Sequence, residues 1–185
     1  MKKKRSICLI IAIGACIILT LLFLKRENIY VQLGGLQYQF ESMNYSLSQE
    51  KVDGEYSFDI DLEDLESNEN KKIEIDDNCY IEIASIILES NGQYALHLQS
   101  HGEYDFNGGY FYTANEYYTG DQNNMITVIG ELESDGESWY SSSYLAVSNK
   151  YGDSFSYSID ASKIDSNHVT VTLSNINKVI LEREN

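Results

Sequence analysis

Ile7–Leu24 (ICLIIAIGACIILTLLFL) is a run of 18 residues without a single charge. A helix of that length rises about 27 Å, close to the roughly 30 Å hydrocarbon core of a bilayer. In lipid a helix satisfies its own backbone groups, so the β-branched residues that weaken a helix in water are tolerated. Lys2, Lys3, Lys4 and Arg5 precede the run, and Lys25 and Arg26 follow it. This bias predicts a single-pass cell-membrane protein with a cytoplasmic N-terminus and its C-terminal domain outside.

Two other export signals share parts of the run. Ile13-Gly14-Ala15-Cys16 resembles a lipobox with Cys16 as the lipidated residue, although the following residues, Ile17–Leu24, are apolar where lipoproteins usually turn polar. A cleaved signal peptide has a shorter core of ~7–15 residues and a small-x-small site, which Leu-Leu-Phe-Leu-Lys-Arg lacks. All three readings export the remainder. That remainder contains Cys79 as its one cysteine, so no internal disulfide supports it, and a buried strand thiol is expected.

Charge divides at the same place. Six of the 13 basic residues and no acid lie in residues 1–26, leaving seven basic against 29 acidic side chains, a net charge of −22, in the rest. Such a surface repels phosphate backbones and excludes nucleic acid as a partner. The organisation expected is a cytoplasmic stub and transmembrane anchor over residues 1–28, a stalk with room for an edge strand over 29–52, and a β-sandwich domain over 53–185. In the stalk, Ile29-Tyr30-Val31 and Leu36–Phe40 are the strand formers, divided by Gly34-Gly35, and Glu41–Gln49 is polar.

Beyond Leu24 the apolar residues recur with a period of two. Phe58, Ile60 and Leu62 alternate with Asp59, Asp61 and Glu63; Ile81 and Ile83 flank Glu82; Tyr94, Leu96 and Leu98 alternate with Ala95, His97 and Gln99. Phe155, Tyr157 and Ile159 alternate with serines, and Val169, Val171 and Leu173 with threonines. Asp76-Asp77-Asn78, Ser90-Asn91-Gly92-Gln93, Asn107-Gly108-Gly109, Ser134-Asp135-Gly136-Glu137 and Lys150-Tyr151-Gly152-Asp153 supply turn chemistry between these runs. About eight or nine strands at this spacing predict an all-β, antiparallel sandwich, with a barrel as the alternative.

Two segments carry a family resemblance. Within Lys72–Leu98 lie an apolar strand, an acidic turn and a long strand that ends at Asn91-Gly92. Tyr157–Ile164 is followed by Val169–Leu173. Both resemble the immunoglobulin-like extracytoplasmic domains of single-pass Gram-positive envelope proteins, some of them in the anti-sigma-factor-like group. The resemblance implies an immunoglobulin-like sandwich with a partner in the envelope. Anti-sigma members carry a cytoplasmic domain before the membrane helix, where this chain has Met1–Ser6.

Catalytic chemistry is hard to assemble. His97 lies on an alternating strand and is expected to face solvent, His101 is expected in a loop before Gly102, and His168 opens a strand. No Gly-x-Ser-x-Gly elbow is present, so an exported hydrolase is disfavoured and no cofactor is expected. Asp59, Asp61 and Glu63 project from one strand face, which either is solvated or attracts a cation. Glu131, Glu133 and Asp135, followed by Gly136, imitate the start of a calcium loop; Ser142 at position 12 and the flanking strands favour a plain hairpin.

Aromatic residues offer more. Tyr104, Phe106, Tyr110, Phe111, Tyr112, Tyr117 and Tyr118 crowd into 15 residues. If Phe111 faces the core, Tyr110 and Tyr112 occupy the opposite face of the strand. With Tyr117 and Tyr118 they form the candidate contact surface for an envelope protein or a glycan, since tyrosine combines a rigid ring with a hydrogen-bonding tip. The expected function is a membrane-anchored binding or signalling module, with a surface adhesin or carbohydrate-binding module as the second reading.

Self-repulsion at −22 should be visible in solution. The chain lacking residues 1–28 is expected to gain Tm on adding monovalent salt. A larger gain from millimolar Ca²⁺ at matched ionic strength is the outcome a calcium site requires; equal gains eliminate it.

Overall fold

Short turns built on glycine and on Asp side chains divide most of the chain into antiparallel strands. The computed structural model describes residues 13–23, 25–117, 125–126, 130–134, 137–141, 149–164, 167–174 and 176–184, with residues 125–126, 130–134, 137–141 and 163 as backbone alone. The strands are β1 (Tyr45–Lys51), β2 (Tyr56–Asp61), β3 (Lys72–Glu74), β4 (Tyr80–Leu88), β5 (Gln93–His101), β6 (Glu103–Asp105) and β7 (Gly108–Thr113). They continue with β8 (Glu116–Tyr117), β9 (Met125–Ile126), β10 (Gly130–Ser134), β11 (Glu137–Ser141), β12 (Ser154–Asp160), β13 (His168–Leu173) and β14 (Asn177–Arg183). Three four-stranded sheets have the orders β1-β14-β7-β6, β11-β10-β13-β2 and β12-β5-β4-β3, and β8 pairs with β9. Every pairing is antiparallel. The all-β, antiparallel class expected from the alternation is the one observed.

The turns fall where their chemistry predicts. Gly92, at φ +82°, closes the β4–β5 hairpin, and the Glu89 N–H donates to Gln93 O at 2.8 Å. Asp76 Oδ1 accepts the Asn78 and Cys79 amides at 2.9 and 2.8 Å before β4, and Asp105 Oδ1 accepts the Asn107 amide at 2.6 Å before β7. An aspartate that bonds its own backbone two residues on mimics a turn.

Period-two burial then builds the core. Ile81, Ile83, Leu96, Leu98, Phe155, Tyr157 and Ile159 from one sheet meet Ile60, Val169, Val171 and Leu173 from another. A bulge between Ile83 and Ser85 adds a residue to β4, which allows Ile86 to turn inward as well. The sheet containing β7 is covered on both faces. Tyr112 joins the main core, whereas Phe111 joins Leu36, Tyr117, Val179 and Leu181 in a second cluster.

The N-terminal part corrects the expected stalk. Residues 13–23 form helix α1, and Arg26–Glu41 forms helix α2, kinked at Gly35. The Lys25 N–H donates to Leu21 O at 3.1 Å and the Ile29 N–H to Lys25 O at 3.0 Å, so helical bonding carries across the junction. Ile29–Val31 and Leu36–Phe40 are therefore helical, not extended. Extending an existing helix avoids a fresh nucleation cost, and the helix buries Val31 before the kink and Leu36 and Gln39 after it. The strand of this region is β1, taken from the segment that reads as polar: Tyr45 is buried, Leu47 and Gln49 half-buried, and Ser46, Ser48 and Glu50 exposed. Among the described residues no helix is long and apolar enough to cross a membrane; residues 7–12 and 24 of the apolar run lie outside them.

Gly35 shows why α2 stays on the sheets. Its φ of +54° and ψ of −136° are adopted by glycine and strained for other residues. The kink removes the Leu36 N–H from the helix ladder, and that N–H donates to Lys150 O at 3.0 Å. Leu36 is then fully buried against Gly102 and Gly109, where added Cβ atoms would lie 2.9 and 2.7 Å from its methyl groups. A Cβ on Gly35 itself would lie 2.1 Å from Lys150 O. Gly35→Ala is expected to destabilise the chain by more than about 1–3 kcal/mol, the cost of backbone strain alone; urea unfolding measures it, and an unchanged midpoint contradicts this account of the kink.

Candidate binding surface

The tyrosines singled out from the sequence do not form one open face. Tyr112 and Tyr117 are buried, at 7% and 5% exposure, and Tyr110 is half-buried against the main core. The alternation of β7 is as expected, with Phe111 opposite Tyr110 and Tyr112, but α2 covers one face and the main core the other. Such two-sided cover is invisible in a strand's own pattern. Tyr118 lies outside the described residues.

Tyr112 is fixed by its surroundings. Its hydroxyl donates to Asp76 Oδ2 at 2.8 Å, and its ring meets Tyr110 edge-on at 6.1 Å. Burial, reinforced by the Asp76 carboxylate, pushes its pKa well above the ordinary phenol value. Burial acts to raise Asp76 as well, but hydrogen bonds from Asn78, Tyr112 and Cys79 hold it below the usual carboxylate value. Lys178 Nζ lies 4.3 Å from the Tyr110 ring centroid, and burial pushes the Tyr110 phenol up to about 12. Cys79 is buried beside it, its thiol pushed up to about 11 by burial, which leaves it protonated and unreactive.

A different aromatic group reaches the surface. Tyr80 opens β4 and pairs across the strands with His101, the last residue of β5. Their rings stack at 4.4 Å with planes 9° apart, and His101 stacks in turn on Tyr151 at 5.5 Å. Lys72 Nζ caps the column 4.0 Å from the Tyr80 ring, and Lys150 Nζ lies 5.5 Å from Tyr151 and 5.9 Å from Tyr104. Glu82 Oε2 lies 3.3 Å from His101 Nε2. Cross-strand register supplies the Tyr80–His101 pair; Tyr151 comes from the Asn149–Gly152 bridge, distant in sequence. That is why sequence reading missed the column and assigned His101 to a loop.

The column offers ring edges, hydroxyl groups and two ammonium ends. Tyr80 is covered on one side by Lys72 and on the other by His101, so it has no open face on which a sugar ring could stack. Tyr151, 46% exposed, is the member most open to solvent. Burial holds the His101 imidazole below its ordinary 6.5, with Glu82 opposing that shift.

The other candidates stay apart. His97 is half-buried on β5 and lies four strand positions from His101, roughly 13 Å of rise. His168 is exposed, with Nδ1 3.9 Å from Asp61 Oδ2. The acidic face of β2 is relieved by local donors: Thr170 Oγ1 donates to Asp59 Oδ1 at 2.6 Å and the Glu63 amide to Asp61 Oδ1 at 2.8 Å. The Glu63 amide bond is the main cause that holds Asp61 below the ordinary carboxylate value. Glu131 and Glu133 fall on β10, described as backbone, and Asp135 lies outside the described residues. No three His, Cys, Asp or Glu side chains converge on a metal position among the described residues.

Truncation should separate the two aromatic groups. Phe111→Ala and Tyr112→Ala are each expected to cost ~3–5 kcal/mol in urea unfolding, and Tyr151→Ala about 0.5 kcal/mol. For His101 the unfolded chain binds a proton first. The stability it contributes is therefore present above about pH 6.5 and lost as pH falls through the lower folded value. A His101 resonance titrating above 6.5 by NMR contradicts this arrangement.

No protein-family model matches this chain, and no curated protein or solved structure matches it either.

Proposed function

We propose that the chain is a membrane-anchored, extracytoplasmic binding or signalling module without catalysis, built on an immunoglobulin-like β-sandwich. The observation that carries this reading is the uncharged run Ile7–Leu24, flanked by Lys2–Arg5 on one side and Lys25 and Arg26 on the other. It leads into a helix seated on the sheets through Leu36 and Gln39. Exposed apolar side chains on α1, including Ile17, Leu19 and Phe23, fit a lipid environment better than water.

The partner in this reading is a protein of the cell envelope, engaged by the column Lys72, Tyr80, His101 and Tyr151. Ring edges and hydroxyls between two ammonium groups suit hydrogen-bond acceptors and carboxylates on a protein surface. The glycan-binding reading rests on the same column, with Tyr151 as the one ring open enough to stack on a sugar.

Three measurements test these assignments. Protease added to intact cells is expected to remove the β-domain; a protected domain refutes the topology. Palmitate labelling that disappears in Cys16→Ala replaces the helical anchor by a lipid. In crosslinking of intact cells, Lys72→Ala and Tyr151→Ala are expected to reduce an adduct formed by the wild type while leaving Tm within a few degrees. An unchanged adduct removes the column from the interface.

A further inference from the structure

Asp153 closes the Asn149–Asp153 loop and is fully buried, with no Lys or Arg paired to it among the described residues. Its Oδ2 accepts the Thr113 hydroxyl at 2.6 Å and the Asn115 side-chain amide. Its Oδ1 has no hydrogen-bond partner, and neither has Asn115 Oδ1 or the Tyr117 hydroxyl. These three residues are each more than nine-tenths buried and lie close enough to act on one another's polar groups. Their three unsatisfied oxygens share a single unplaced hydrogen, that of the Tyr117 phenol. The cluster is short of a donor.

Unsatisfied oxygens in a dry interior are costly, and a carboxyl proton supplies the missing donor without needing room for a water or an ion. We propose that Asp153 is a proton-binding site that latches helix α2 to the sheets, its neutral acid holding the Asn149–Asp153 loop closed and its ionised form loosening it. The loop is well placed to carry such an effect. Asp153 O accepts the Ser100 N–H at 2.8 Å and the Gln99 side-chain amide at 2.9 Å, Tyr151 O accepts the Gly102 N–H at 2.7 Å, and Lys150 O accepts the Leu36 N–H.

The electrostatics agree with the geometry. Burial pushes the Asp153 carboxyl up to about 6 from 3.8, against the hydrogen bonds that Thr113 and Asn115 donate to Oδ2. Titratable and charged side chains on the surrounding elements are His97 and His101 on β5, Tyr110 and Tyr112 on β7, and Glu116 and Tyr117 on β8. To these are added Tyr94 on β5, Lys178, Glu182 and Arg183 on β14, Tyr157 and Asp160 on β12, Lys150 and Tyr151 on the loop itself, and Arg26, Glu27, Tyr30, Tyr38 and Glu41 on α2. His101 is engaged by Glu82, Lys178 by Tyr110, and Lys150 by Tyr104 and Tyr151. Tyr117 is the titratable group on which the Asp153 charge acts, and its hydroxyl closes no hydrogen bond to the carboxyl. In the sign of linkage, the folded chain holds the proton more tightly than the unfolded chain. The stabilisation is therefore full below about pH 3.8 and is lost as pH rises through about 6.

Hydrogen exchange of the Leu36 amide tests the latch in the full chain, held in detergent micelles. After correction for intrinsic exchange, wild-type protection is expected to fall by roughly 10-fold between about pH 5 and about pH 8, the part of the two-unit pKa displacement that remains above pH 5. Asp153→Asn puts an amide donor in place of the acid proton, so its protection should be nearly flat and exceed the wild type at the higher pH. The histidines are unchanged in that variant, and their titration cancels in the comparison. Flat wild-type protection overturns the proposal, and so does an equal fall in Asp153→Asn. Protection at constant pH that instead tracks Na⁺ or K⁺ assigns the cluster to a cation and overturns it too. Should Asp153→Asn fail to fold, the ¹³C titration of the wild-type Asp153 carboxyl decides: a midpoint near 6 supports the latch, and one near 4 refutes it.

Discussion

Three backbone carbonyls in the Asn149–Asp153 loop tie helix α2 to the end of the β12–β5 pairing. Lys150 O takes the Leu36 amide of α2, Tyr151 O takes the Gly102 amide between β5 and β6, and Asp153 O takes the Ser100 amide of β5. The Leu36 amide lies at a helix kink, where its partner had to come from outside the helix, whereas the Ser100 bond extends the β12–β5 register by one residue. The same loop sends Tyr151 to the surface column and the Asp153 side chain to the ends of β7 and β8. A five-residue turn thus fixes the position of the helix, one end of two sheets and the exposed aromatic group.

Much of the β-structure was legible because one face of a strand and its turn residues report directly on burial. Phe58-Asp59-Ile60-Asp61 and Val169-Thr170-Val171-Thr172 alternate, and their strands pair with Val169 opposite Ile60 and Val171 opposite Phe58. Three parts were not legible, each for its own reason. Residues 29–40 have strand-forming composition, but a preceding helix and the tertiary bond at Leu36 override local preference. On β7 a helix covers one face and the main core the other, so alternation could not say which tyrosines were exposed. The surface column joins residues 72, 80, 101 and 151, a proximity set by sheet register and one loop.

The few cations of the acidic part are used in an unexpected way. Lys72, Lys150 and Lys178 sit over tyrosine rings, and Arg183 lies 3.9 Å from the Phe106 ring centroid. These are four of the seven basic residues after Arg26, in a segment with 29 acids. A ring face attracts a cation and still leaves part of its ammonium or guanidinium group free for a carboxylate. Arg183 shows both contacts at once, with Nη2 2.6 Å from Glu27 Oε2, and so ties β14 to α2. Aromatic rings thereby hold positive charge at chosen places on a surface that is otherwise strongly negative.

Helical bonding across Lys25 has a geometric consequence. A helix turns about 100° with each residue, so the direction in which the sheets face around the axis of α1 depends on the number of residues between them. Inserting one residue at the Lys25–Arg26 junction would swing the Tyr80–His101–Tyr151 column through about 100° around that axis, whereas inserting seven would return it almost to its starting azimuth. The junction acts as an angular coupling, and its length sets the azimuth at which this surface meets whatever lies beside it.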